Sequence, residues 1–362
     1  MTASLREVKS VKTVARITLK PGDMLGEDVY SYHGEKLYSA GTKLDPKAIA
    51  RLTRHNIMAV TIMEAIDFAE THTERVKLSE DYKQFARVYY ECLPHFRAII
   101  DSVVKVRIAP DLNQLMGIYV KLTSQAKNGD VLLDYLRNIT PDMENMLYEH
   151  QLNCGLIASV FASWQGMTKE ETFKLIQCGF LYDIGKLLLP GDLFYKAAKL
   201  TDEEFEQMKT HTTLGYDLLT EVGMGGPIAL SALQHHEKGD GSGYPNKLNV
   251  GQIDEYAQYC AIVDAYEAMS APKTYRYPLN TFEIISNFEK DSAKYNKFKL
   301  NSILFNIGKS QLGLHAKLSD GTEGEVILIN PVNISRPMVK EINGNLIDMT
   351  TLPPEVVIYA LF

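Results

Sequence analysis

The sequence predicts a multidomain, mainly helical protein. A central all-α bundle is expected, with a small α+β module ahead of it and a small β appendage behind it. Three observations carry that expectation. Between residues 75 and 308, apolar segments at helical spacing carry scattered histidines and aspartates. Residues 13–64 instead mix short apolar runs with Pro, Gly and Asp turns. After residue 310 the composition shifts again, to β-type runs around Asp320-Gly321. A chain of 362 residues has room for two or three domains. The expected divisions are 1–70, a regulatory or docking module; 71–140, a helical connector; 141–308, the bundle; and 309–362, the appendage.

Composition narrows the function classes. Net charge is −7, with 23% charged and 45% hydrophobic residues, so neither a nucleic-acid polymer nor an anionic membrane is an expected partner. Cys92, Cys154, Cys178 and Cys260 are scattered, which suggests buried free thiols rather than a zinc ribbon or disulfide framework. No apolar run is long enough to span a bilayer, and the start has no signal-peptide pattern. The expected location is the cytoplasm.

Taken in order, Val14–Leu19 reads as a strand. Asp28–Tyr32 and Lys36–Tyr38 read as a hairpin around His33-Gly34-Glu35. Asp45 with Pro46 marks a helix start, with Ile49, Leu52 and Ile57 facing inward, and Met58–Met63 closes the module as a strand. Phe85, Val88, Tyr89 and Cys92 form one helical stripe; Leu115, Ile118, Tyr119 and Leu122 form another. Asn128-Gly129-Asp130 is a break, and Thr140-Pro141 is expected to open the helix bearing His150. Thr201 with Glu204 makes a capping box, and Pro227 suits a helix start. Leu314–Leu318 and Gly324–Ile329 read as a hairpin, followed by strand-like Pro337–Val339 and Val356–Tyr359.

The chemistry centres on His235-His236-Glu237-Lys238-Gly239-Asp240-Gly241-Ser242-Gly243-Tyr244-Pro245. Helical neighbours point about 100° apart, so adjacent imidazoles serve one metal only where the helix breaks. Three glycines and a proline supply such a break downstream. Asp183 and Lys186 sit three apart within an apolar run, as do Asp264 and Glu267. Buried charges need partners or a metal. With His150 and His211 on similar segments, the set reads as a metal site inside a helical bundle.

These segments, from His150 to about Arg276 and in the right order, resemble an HD-GYP domain, a branch of the HD phosphohydrolases that hydrolyse cyclic di-GMP. The resemblance implies a metal-dependent phosphodiesterase giving pGpG or GMP, with one or two divalent transition-metal ions, Fe or Mn. Asp183 would bridge the metals and, with Lys186, serve catalysis. Asp183, His211, His235 and His236 would hold one ion, and His150 and Asp264 the other. Lys186, Tyr244, Lys273, Arg276 and Glu267 would meet the nucleotide. Three positions depart from the family pattern. Tyr182 stands where the family has the histidine of its His-Asp pair, Glu267 replaces an aspartate and Lys273 an arginine. Met146, one turn before His150, argues against a third metal. Tyr182 reads either as a phenol packed beside a depleted site or as a phenolate ligand to ferric iron, and the first is preferred. The departures also leave a second expectation open: a weak or inactive member that senses the nucleotide or docks a protein. A signalling protein or a second copy of the chain would then be the partner. A plain HD nucleotide hydrolase is disfavoured, because it lacks the Asp240–Pro245 loop.

Overall fold

The computed structural model describes residues 12–31, 34–62, 71–140, 142–191, 193, 200–272 and 279–362. His33, Lys273 and Arg276 lie outside the described residues, as does Pro141.

The N-terminal module has its own small core of Leu25, Val29, Leu44, Ala48, Leu52 and Val60. Strand β1 (Lys12–Ala15) pairs antiparallel with β4 (Ala59–Ile62), and β2 (Val29–Tyr30) with β3 (Lys36–Tyr38). The first strand is shorter than expected, because Arg16–Thr18 turn into a 3-10 helix. Helix α1 (Pro46–Arg54) begins as its sequence requires, with the Asp45 carboxylate accepting the Ala48 N–H at 2.5 Å and Pro46 at the first position.

The helices follow in chain order. They are α2 (His72–Leu78), α3 (Glu80–Asp101), α4 (Leu112–Thr123), α5 (Gly129–Leu136), α6 (Met146–Trp164) and α7 (Lys169–Leu181). After these come α8 (Asp202–Lys209), α9 (His211–Glu221), α10 (Pro227–Gln234), α11 (Glu255–Ser270), α12 (Thr281–Lys290) and α13 (Lys297–Lys309). The Asn128 break is the cap of α5, its side chain accepting the Val131 N–H. The helix bearing His150 starts at Met146 rather than at Thr140-Pro141. Asp142 makes the intervening turn: its side chain accepts from Glu144 N–H and the Asn145 amide, while its own N–H goes to Glu149.

The expected connector and appendage share one core with the bundle. Tyr89 and Phe96 of α3 are fully buried with Leu152, Phe161 and Phe180, and the Phe96 and Phe180 rings lie 5.3 Å apart. The C-terminal antiparallel sheet comprises β5 (His315–Leu318), β6 (Glu323–Leu328), β7 (Met338–Lys340), β8 (Leu346–Asp348) and β9 (Ile358–Leu361), in the order β8-β7-β6-β5-β9. Ala316, Val326, Val339 and Ile358 join the same cluster, and Glu289 of α12 accepts from Ile334 N–H at 2.6 Å. Strand β8 lacks an alternating apolar signal, and the sequence reading missed it.

One close approach positions the site. A Cβ on Gly185 would lie 1.9 Å from the His211 carbonyl oxygen and 2.6 Å from Gly215 N. Only glycine lets the start of α9 press against the 3-10 turn Ile184–Leu188. We expect Gly185→Ala to cost about 1–3 kcal/mol in denaturant unfolding, and an unchanged midpoint would show that the approach relaxes freely.

Candidate metal centre

Three helix ends and two helix faces converge here. Helix α7 closes at Leu181, and Tyr182 and Asp183 form the corner before the 3-10 turn. His211 opens α9, and α10 stops at Gln234, so that His235 and His236 leave the helix with ring centres 4.1 Å apart. His150 projects from α6, and Asp264 and Glu267 share a face of α11, as their spacing predicts.

The donor atoms fall into two groups, His211 with His235 and His236, and His150 with Asp183 and Asp264. Within each group the atoms lie within 4.8 Å of one another. Asp183 joins the groups. One of its oxygens is 3.4 Å from His211 Nε2 and 3.7 Å from His235 Nε2, and the other is 3.3 Å from His150 Nε2 and in ion-pair contact with Lys186. Yet the carboxylate is fully buried, and neither oxygen receives a directed hydrogen bond. Burial would raise its pKa; Lys186, His150 and His211 outweigh that and hold it well below the ordinary carboxylate range.

The imidazoles show why a cation fits. His211 Nδ1–H donates to the Met208 carbonyl at 2.6 Å, and His235 Nδ1–H to the Ser231 and Ala232 carbonyls at 3.0 Å. The Nε2 lone pairs of both rings then point inward, 3.2 Å apart. Burial keeps His211, His235 and His236 below the ordinary histidine pKa, His235 at about 4. Two neutral lone pairs facing at that distance repel unless a cation lies between them. The donor sets suit a transition metal on this chemistry. His211, His235, His236 and Asp183 would hold one ion, and His150, Asp183 and Asp264 a second.

The second group differs electrostatically. Burial opposes charge on His150, but Cys154, Glu267, Asp183 and Asp264 prevail and raise its pKa well above normal. Tyr182, fully buried, donates its O–H to Asp264 Oδ1 at 3.1 Å, and its oxygen lies 2.9 Å from His150 Nε2 and 3.1 Å from Cys154 Sγ. Burial first, then Asp264, Cys154 and Asp183, push the phenol pKa well up. Without a metal it is a neutral phenol lodged among would-be ligands.

Lys186 and Tyr244 border the centre; the Tyr244 ring stacks on His236 at 4.8 Å. The Glu267 carboxylate bonds His150 Nδ1 at 2.7 Å, behind the ring, and is nearly inaccessible. This corrects the expectation that Glu267 meets the substrate: α11 turns it into the core. The sequence reading also missed Glu237, a buried carboxylate that accepts from Asn246 N–H at 2.6 Å and Leu248 N–H at 2.8 Å. It braces the loop after the histidines, and a lone acid beside two ligands gave no separate signal.

Residues 134–297 match the family model for the HD domain. Similar proteins include the cyclic di-GMP phosphodiesterase PdeB of Borreliella burgdorferi, 27% identical over 55% of this chain and 53% of its own. A cyclic di-GMP phosphodiesterase of Thermotoga maritima is 34% identical over 42% of each chain. The 3'3'-cGAMP-specific phosphodiesterase 2 of Vibrio cholerae is 27% identical over 47% of this chain and 33% of its own. The chain thus spans about half the length, or less, of these relatives. Residues 134–297 are an HD domain, a metal-dependent class. Within that class the segment is similar to cyclic di-GMP and 3'3'-cGAMP phosphodiesterases, as the HD-GYP resemblance of its sequence implies. No helix among the described residues is long and apolar enough to cross a membrane.

The buried imidazoles fix a pH dependence. An unfolded histidine titrates near 6.5, whereas His235 titrates at about 4 in the fold. As pH falls through that window the unfolded chain takes up the proton first. The chelated protein should therefore lose stability from about pH 6.5 to 4, by up to about 3 kcal/mol from this side chain. His150 acts oppositely and elsewhere, its contribution complete below 6.5 and lost as pH rises through its raised value. Denaturant midpoints across pH 4–7 check this, and His235→Asn should flatten the slope.

Proposed function

We propose that the chain is a metal-dependent phosphodiesterase acting on a cyclic dinucleotide, with cyclic di-GMP the first candidate and pGpG or GMP the product. The single observation that carries the reading is the buried Asp183 carboxylate set between two groups of metal donors. The names of the relatives support the substrate class. Fe(II) or Mn(II) matches the mixed imidazole and carboxylate donors. A bound cation would lower the pKa of water and neutralise the phosphate.

The side chains then divide the remaining work. The imidazoles of His211 and His235 are held by backbone carbonyls, so their metal-facing nitrogens stay aimed without reorganisation. The Lys186 ammonium, paired to Asp183, offers a point charge to a phosphate oxygen. The Tyr244 ring, stacked on His236, limits how a nucleotide enters. Lys273 and Arg276 are proposed to grip the ligand. Four free, buried cysteines suit a reducing compartment, and we place the protein in the cytoplasm.

A second reading rests on Tyr182. Its phenol contacts both His150 Nε2 and Asp264 Oδ1, which favours one metal and a receptor with little turnover. Purified protein loaded with Fe(II) or Mn(II) under reducing conditions should convert cyclic di-GMP or 3'3'-cGAMP, and Asp183→Asn should reduce conversion to the blank. Absence of product with both nucleotides and both metals overturns the enzyme. Tight nucleotide binding with one metal and no product makes it a receptor. Tyr182→His should raise metal content toward two ions; unchanged content would show that the phenol does not limit the second position.

A further inference from the structure

A buried chain of polar side chains runs from α3 to the candidate ligand His150. The Tyr89 O–H donates to Asn153 Oδ1 at 2.8 Å, and Asn153 Nδ2–H donates to Glu267 Oε1 at 3.2 Å. The other Glu267 oxygen lies 2.7 Å from His150 Nδ1. Tyr89 is fully buried, and Asn153 and Glu267 are 5% and 4% exposed. The links come from three helices, α3, α6 and α11. Chemistry sets the direction of each bond. A carboxylate only accepts, so both His150 Nδ1 and the Asn153 amide must present N–H to it. That leaves Asn153 Oδ1 for the tyrosine hydroxyl. Reversing the amide would set its oxygen against the carboxylate.

We infer that Glu267, Asn153 and Tyr89 are positioning residues for the metal centre. Glu267 accepts from His150 Nδ1–H and so turns Nε2 toward the Asp183 and Asp264 oxygens, each 3.3 Å away, where a metal would take the place of the Nε2 proton. Asn153 fixes the carboxylate and Tyr89 fixes the amide. A carboxylate behind a ligating imidazole sets its tautomer and strengthens it as a donor. Burial makes each link strict, because a misdirected polar group finds no water to replace its partner. The relay makes metal capture at the His150 position depend on α3, a helix that supplies none of the candidate ligands. This rests on the metal-centre reading and not on the identity of the nucleotide.

The test is Mn(II) binding to the full chain, with stoichiometry and affinity read for each site. Glu267→Gln should weaken the His150 position by about 10–100-fold and leave the His211/His235/His236 position unchanged. Tyr89→Phe should act in the same direction and more weakly. Glu267→Asp keeps the charge on a shorter arm and should retain more affinity than Glu267→Gln. A role in packing alone predicts the reverse order, since glutamine matches glutamate in size. In a His150→Ala background the Glu267→Gln change should cost no further affinity. Wild-type affinity in Glu267→Gln overturns the relay. A wild-type chain that takes up no Mn(II) overturns the metal-centre reading beneath it. The expected order of the variants in a chain that binds metal without nucleotide turnover supports the relay while refuting catalysis.

Discussion

The Asp183 carboxylate is the constraint on which the rest depends. It is an anion almost wholly removed from water, and stripping a carboxylate of its hydration costs several kcal/mol. Lys186 answers one oxygen, and imidazoles approach both. That arrangement requires α6, α7, α9 and α10 to meet at one corner. The corner closes only because Gly185 carries no side chain where α9 presses in. The apolar core around Phe96, Phe161 and Phe180 holds the helices there, but the buried charge determines which faces meet.

The two donor groups are not equivalent. The trio of His211, His235 and His236 is kept neutral by burial, and backbone carbonyls orient two of its rings. It is preorganised for a cation at neutral pH. The other group holds a charged His150 against carboxylates, with the Tyr182 hydroxyl in contact with both His150 and Asp264. A metal entering there must displace a proton from the imidazole and break the contacts of the phenol. The proposed enzyme and the proposed receptor differ in whether the cation wins that exchange.

Beyond the centre, the described residues pack into two separate cores. The N-terminal module keeps its own small core, whereas α3 and the C-terminal sheet share the main one. The proposed relay through Tyr89 gives α3 a physical route to His150 besides packing.

The sequence by itself determined the helical class, the caps at Asp45, Thr201 and Pro227, and the ligand candidates. Those follow from local rules: a capping side chain reaches only a few residues along the chain, and helical spacing puts Asp264 and Glu267 on one face. The start of α6 was misplaced, because the Asp142 turn outweighed the signal at Thr140-Pro141. Only the tertiary structure decided that Glu267 backs His150 instead of facing a ligand, that Tyr89 and Asn153 stand behind it, and that the Tyr182 hydroxyl touches both His150 and Asp264. Spacing along one helix does not say which neighbour its face will meet. Partners separated by more than a hundred residues, such as His150 and Glu267, are matched only when packing brings their helices together.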